Sequence, residues 1–129
     1  MSESRLFKGA FAYQDDVLAL PVLDLDAAAQ WYTDMFGLRE VARRDEPHHA
    51  VILERDGVRI GFALTGGDAS QDGAAIEVLD IHRAEEQIRA AGLDVGDMRI
   101  EDHDSEKRHV FFVVAPDGLC FCFYQRLSE

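Results

Sequence analysis

The stretch VLDLDAAAQWYTDMFGL (22–38) returns later in the chain as VLDIHRAEEQIRAAGL (78–93). In each, an apolar run ends at V-L-D-[LI], a helix-length segment follows, and Gly-Leu closes it. A second pair lies further on: HHAVILERDGVRIGFAL (48–64) matches HVFFVVAPDGLCFCFYQ (109–125) as strand, Asp-Gly turn and strand. The offsets are similar and keep their order: 56 for Asp24/Asp80, 55 for Gly37/Gly92 and 61 for Gly57/Gly118. Regular self-similarity of this kind marks a duplicated structural unit. Each copy reads as strand, helix and three strands.

The first helix is expected over about 25–36, with Ala28, Trp31, Tyr32, Met35 and Phe36 on one face at helical spacing. Asp24 or Asp26 can cap its start, and Gly37 suits a left-handed end. The second helix, about 81–91, places Ile81, Ala84, Ile88 and Ala91 inward and Arg83, Glu85, Glu86 and Arg89 outward. Strands are expected at 16–22, 39–44, 49–55, 58–64, 73–78, 96–101, 109–115 and 119–125. Asp56-Gly57 and Pro116-Asp117-Gly118 supply the hairpin turns. The stretch 65–72 reads as a linker between copies and 102–108 as a polar loop. Residues 1–14 carry Leu6, Phe7, Phe11 and Tyr13, an apolar scatter suited to packing on a partner subunit or within the chain.

The 129 residues fit a single domain (1–129), with modules at 15–64 and 73–126. No run of 18 or more apolar residues suggests a membrane span, and the N-terminus lacks the order of a secretory signal. With 13 Lys+Arg against 25 Asp+Glu, the formal charge of −12 repels nucleic acid and anionic membranes. It would favour a cationic ligand, although acidity serves solubility first. Cys120 and Cys122 on one strand would have Cα atoms roughly 6.6–6.8 Å apart, the outer edge of disulfide geometry. Free thiols fit a reducing, cytoplasmic setting.

The order of elements, with L-x-V-x-D-L…W-Y…F-G-L near the start and P-D-G-x-x-x-x-F-x-Q near the end, resembles the vicinal oxygen chelate superfamily of glyoxalases, extradiol dioxygenases and drug-resistance proteins. The resemblance covers about 15–126. It implies an α+β fold in which two βαβββ modules form a half-open, barrel-like cleft. Metal-dependent members carry one ligand on each of four strands, usually His or Glu. Those positions fall here on Val17, Gly61, Gly73 and Cys122, so the resemblance implies neither a metal centre nor a cofactor.

Strand alternation then assigns the cleft lining. One face holds Val17, Ala19, Pro21, Arg59, Gly61, Ala63, Gly73, Ala75, Glu77, Cys120, Cys122 and Tyr124. The other holds Leu18, Leu20, Val22, Ile60, Phe62, Leu64, Ile76, Val78, Phe121 and Phe123, which belong under the helices. From the first set, Arg59, Gly61, Ala63, Glu77, Cys120, Cys122 and Tyr124 are the expected ligand-binding residues. Arg59 with Glu77 is an acid/base pair or an ion pair across the cleft.

Among metal-free members the chain resembles bleomycin-resistance proteins, which sequester a drug in grooves formed between two subunits. That implies a homodimer binding a small molecule, cationic or aromatic, without turnover. The loop EDHDSEKRH (101–109) lacks the aromatic residues such proteins use to stack bleomycin, so the ligand itself stays unspecified. The alternative is a lyase, isomerase or dioxygenase of the same fold with a non-standard site. His48, His49, His103 and His109 are its candidate bases or ligands, and they are placed before strands or in the charged loop.

Overall fold

The computed structural model describes residues 5–13, 16–103 and 106–127. Residue 15, where the first module is placed to begin, residues 104–105 of the polar loop and the side chain of His103 lie outside them. Two helices are present, α1 (Leu25–Phe36) and α2 (Ile81–Ala90). The strands are β1 (Phe7–Ala12), β2 (Leu20–Pro21), β3 (Arg39–Arg44), β4 (Ala50–Arg55), β5 (Val58–Ala63), β6 (Gly73–Val78), β7 (Arg99–His103), β8 (Glu106–Val114) and β9 (Cys120–Leu127).

Duplication is visible in the strand order. One sheet runs β2-β5-β4-β3 and the other β1-β6-β9-β8-β7, so the last four strands of the second repeat the pattern of the first. In each set the first strand lies parallel to the last, β2 on β5 and β6 on β9, and the other neighbours are antiparallel. The fold is α+β with two open mixed sheets.

Local chemistry explains the helices. Asp24 caps α1 by accepting the Ala27 N–H at 3.0 Å, and Gly37 ends it at φ 71°. Asp80 caps α2 through the Arg83 N–H. Ala28, Ala29, Tyr32 and Phe36 of α1 and Ile81, Ala84 and Ile88 of α2 are buried, whereas Trp31 and Met35 are half-buried against the same core. Tyr32 joins the two repeats: it stacks on Phe62 of β5 at 4.2 Å and meets Phe121 of β9 edge-on at 5.4 Å.

The turn aspartates tie segments distant in sequence. Asp56 and Gly57 both have positive φ, 55° and 83°, as a two-residue hairpin turn of this hand requires. The Asp56 carboxylate accepts the N–H groups of Leu6 and Phe7 at 2.7 and 2.9 Å. Desolvation pushes its pKa up, but those two amides and Arg55 outweigh it, and the net shift is downward. Asp117, in the matching turn, accepts the Tyr32 hydroxyl and the Leu119 N–H.

Four expectations need correction. Residues 7–12 form a strand, β1, which extends the second sheet by pairing antiparallel with β6. The expected strand 16–22 shrinks to Leu20–Pro21, because residues 16–19 make a turn in which Ala19 N–H bonds to Asp16. The polar loop 102–108 is instead largely hairpin: Asp102 faces Lys107 across β7 and β8, with an ion pair at 3.0 Å. His109 therefore lies within β8 rather than before it. Leu64, assigned to the helix-covered face, is 40% exposed just beyond β5. No helix among the described residues is long and apolar enough to cross a membrane.

Candidate functional site

The face of the five-stranded sheet that turns away from the helices is open. Register aligns its side chains in rows: Phe11, Ala75, Cys122 and Phe112 cross β1, β6, β9 and β8, and Glu77, Tyr124 and Val110 form the next row. Alternation puts Phe121 and Phe123 in the core and leaves Cys120, Cys122 and Tyr124 on this face. Between them lies a cavity of about 300 Å³ whose walls include Tyr13, Ala75, Arg108, Val110, Phe112 and the β9 trio. That volume sits at the lower end for small-molecule sites, and an apolar lining with few polar groups is their usual character.

Polar groups rim the cavity. Arg108 lies over the Tyr124 ring with its guanidinium carbon 4.6 Å from the centroid, and Arg99 similarly covers Phe112 at 5.3 Å. Arg108 bonds Glu106 at 3.3 Å, while its buried Nε has no hydrogen-bond partner among the described residues. Arg99 pairs with Glu101 at 3.1 Å. Glu77 is 5% exposed and meets Lys8 at 3.6 Å, Arg126 at 3.3 Å and, at a long 3.5 Å, the Tyr124 hydroxyl. Burial, then the Glu77 charge, raises the Tyr124 pKa.

The other sheet contributes little open space. Ala50, Ile52, Gly61 and Ala63 are all buried. The turn at 16–19 lies on β5: Gly61 N–H donates to the Val17 carbonyl at 2.8 Å, and the Leu18 carbonyl sits where a Gly61 Cβ would be. The cleft is thus asymmetric, closed over β5 and open over β9.

The seven residues expected to bind ligand consequently separate. Cys120, Cys122 and Tyr124 line the cavity, and Glu77 lies beside Tyr124 on the same face. Gly61 and Ala63 are sealed on the other sheet. Arg59 is exposed and pairs with Glu54 at 3.2 Å, so no Arg59–Glu77 pair spans the cleft, each having its own partner. Sequence reasoning missed Tyr13, Arg108, Val110 and Phe112. Alternation along the expected strand 109–115 already puts Val110 and Phe112 on one face, and Arg108 would have joined them had the charged stretch before it been read as strand.

The four positions that hold metal in metal-dependent relatives were tested for fit. Val17 packs against the core, Gly61 abuts Leu18, and a Cβ on Gly73 would collide with the Cys120 carbonyl. Only Cys122 offers a donor. Desolvation, with Glu101 nearby, pushes its thiol pKa up to about 11, which keeps it protonated at neutral pH. One protonated thiol is not a ligand set for a divalent ion. Among the described residues no three His, Cys, Asp or Glu side chains cluster for one.

The raised thiol pKa has a measurable consequence. Alkylation of Cys122 by iodoacetamide should be slow at pH 7.5 and rise about tenfold per pH unit up to about pH 10, because only thiolate reacts. Mass-spectrometric rates that level off below pH 9 would contradict this environment.

Residues 16–123 match the sequence profile described as Glyoxalase/Bleomycin resistance protein/Dioxygenase superfamily. A protein from the mobile metagenome of V. Pseudocholerae is similar in structure, with 16% identity, a TM-score of 0.69, and 90% of this chain and 95% of that one covered. A glyoxalase/bleomycin resistance protein/dioxygenase from Alicyclobacillus acidocaldarius gives 20% identity and a TM-score of 0.68, covering 88% and 93%. The genomically encoded fosfomycin resistance protein of Listeria monocytogenes gives 17% identity and a TM-score of 0.56, covering 86% and 91%. Curated protein sequences give no match.

Proposed function

We propose, from the premise that the chain belongs to the Glyoxalase/Bleomycin resistance protein/Dioxygenase superfamily, that it binds a drug-sized small molecule without using a metal ion. The observation that carries this reading is the apolar cavity on the open face, centred on Cys122 and walled by Phe112 and Tyr124. Its rings and aliphatic groups suit an aromatic or otherwise flat ligand, held by area burial rather than by coordination.

A second copy of the chain closes the site. Phe11 and Val114 are 51% and 66% exposed on the open face, beside an exposed Tyr13. Apolar side chains grouped in this way are more favourably covered than left in water. In this arrangement the homodimer, not one chain, holds the ligand.

The test is a thermal-shift screen across aromatic and cationic compounds. Ligand that binds only the native state raises stability by RT ln(1 + [L]/Kd), about 2.7 kcal/mol at 100 Kd. Hits should lose their effect in Cys122→Phe, which fills the cavity from its floor, and NMR should show the ligand chemically unchanged. Product formation, or shifts that persist in the filled variant, would refute sequestration at this site.

A further inference from the structure

On the helix side of the molecule a second apolar recess lies beside the start of α1. Val22, Leu23, Ala28, Trp31 and Pro116 wall a cavity of about 380 Å³. A neighbouring hollow of about 220 Å³ shares Val22, Leu23 and Asp117 with it, so the two form one groove around Leu23. Leu23 is 93% exposed, although a leucine at V-L-D looks destined for the core. Phe121 and Phe123 face this side of β9 whereas Cys120, Cys122 and Tyr124 face the other, so the groove is separate from the site proposed above.

Its charge names the occupant. Asp24, Asp68 and Asp117 line the groove, and among the described residues no Lys, Arg or His does. Asp24 accepts from the Ala27 N–H, Asp68 from Ser70, and Asp117 from the Tyr32 hydroxyl and Leu119 N–H. All these donors are neutral, and no cation among the described residues forms an ion pair with the three carboxylates. The partial positive charge at the α1 N-terminus is offset by Asp24 and by Asp26 in the first turn. An indole beside carboxylates is the environment that favours an ammonium group with an apolar body, through ring quadrupole and charge together. We propose that this groove binds a small apolar ammonium compound, its cation against Trp31 in the recess that Asp24 and Asp117 line, with Asp68 adding negative charge from the adjoining hollow. The chain's net charge of −12 adds long-range attraction for such a ligand.

Trp31 is the only tryptophan, so its fluorescence reports on this groove. The probe pair is benzyltrimethylammonium and its uncharged isostere neopentylbenzene. Benzyltrimethylammonium should change the emission saturably, with an apparent affinity about fivefold or more above that of neopentylbenzene. The double variant Asp24→Asn, Asp68→Asn keeps both caps, since Asn caps as well as Asp, and should narrow the gap between the two affinities, with Trp31 and Asp117 holding what remains. Cys122→Phe, which fills the other cavity, should leave the response intact. Equal affinities for charged and neutral probes, or a preference undiminished in the double variant, would overturn the proposal. A response abolished by Cys122→Phe would place the binding in the other cavity and overturn it equally. The thermal-shift result at Cys122 stands or falls independently of these outcomes.

Discussion

Tyr32→Ala should lower the unfolding free energy by about 3–5 kcal/mol, the cost of deleting a large buried ring from a packed core. Tyr32 is 0% exposed and contacts four other rings, those of Trp31, Phe36, Phe62 and Phe121. Two of those belong to β5 and β9, so the cavity would open where the two sheets meet, and neither can close it alone. Tyr32→Phe isolates the hydroxyl. It keeps the ring but leaves the Asp117 carboxylate with backbone N–H donors alone, that of Leu119 first among them, at a cost of about 1–2 kcal/mol.

That smaller cost should depend on pH, and the sign follows from Asp117. Burial raises its pKa above the usual carboxylate range, with the Leu119 amide and the Tyr32 hydroxyl opposing the rise. A group whose folded pKa is raised stabilises the fold most at low pH, and this contribution is lost as pH rises through the folded pKa. The Tyr32 hydroxyl favours the ionised form, so removing it should hurt more at pH 7 than at pH 4. Urea denaturation of both proteins at the two pH values measures this. An equal difference at pH 4 and pH 7 would show that the hydroxyl does not support the charged carboxylate.

Gly61→Ala should cost about 3 kcal/mol, the upper part of the range for overpacking, and lower Tm by roughly 10 °C for a chain of this size. The added methyl would meet the Leu18 carbonyl and, at 2.8 Å, the Ile52 Cδ1. The first obstacle is backbone, held in place by the Gly61 N–H bond to Val17, so it cannot rotate aside as a side chain would. Gly96→Ala is the control: a Cβ there meets only the Phe112 carbonyl at 3.9 Å, and stability should change by less than about 0.5 kcal/mol. For the same reason Gly61→Glu should fail to build a metal ligand, because its side chain has no path into the cleft. Calorimetry showing Gly61→Ala as stable as Gly96→Ala would mean that the turn at 16–19 does not press on β5.

Much of this architecture was written locally. Ala28, Tyr32 and Phe36 recur at helical spacing and are buried; Asp24 and Gly37 end the helix as their side-chain chemistry requires. Alternation on β9 sorted Phe121 and Phe123 from Cys120, Cys122 and Tyr124, and the structure keeps the two sets on opposite faces. Other segments misled for identifiable reasons. FKGAFA (7–12) has a glycine in its middle and a weak apolar pattern, and becomes a strand because β6 offers it an edge. The charged run around 102–107 reads as loop, yet opposite charges facing each other across β7 and β8 stabilise a hairpin. Conversely VLALPV (17–22) alternates too little to distinguish strand from turn, and its first half turns.

Legible in the residues alone were the repeated unit, its two helices and the turns at Asp56-Gly57 and Pro116-Asp117-Gly118. These follow from periodicities and backbone preferences that act over a few residues. Which half of the cleft is open was settled by long-range packing. That outcome depends on where the backbone at Leu18 crosses Gly61 and on which side chains of β8 face those of β9. Both are contacts between segments far apart in the chain, where small differences in close packing select one arrangement and local pattern carries no record of the choice.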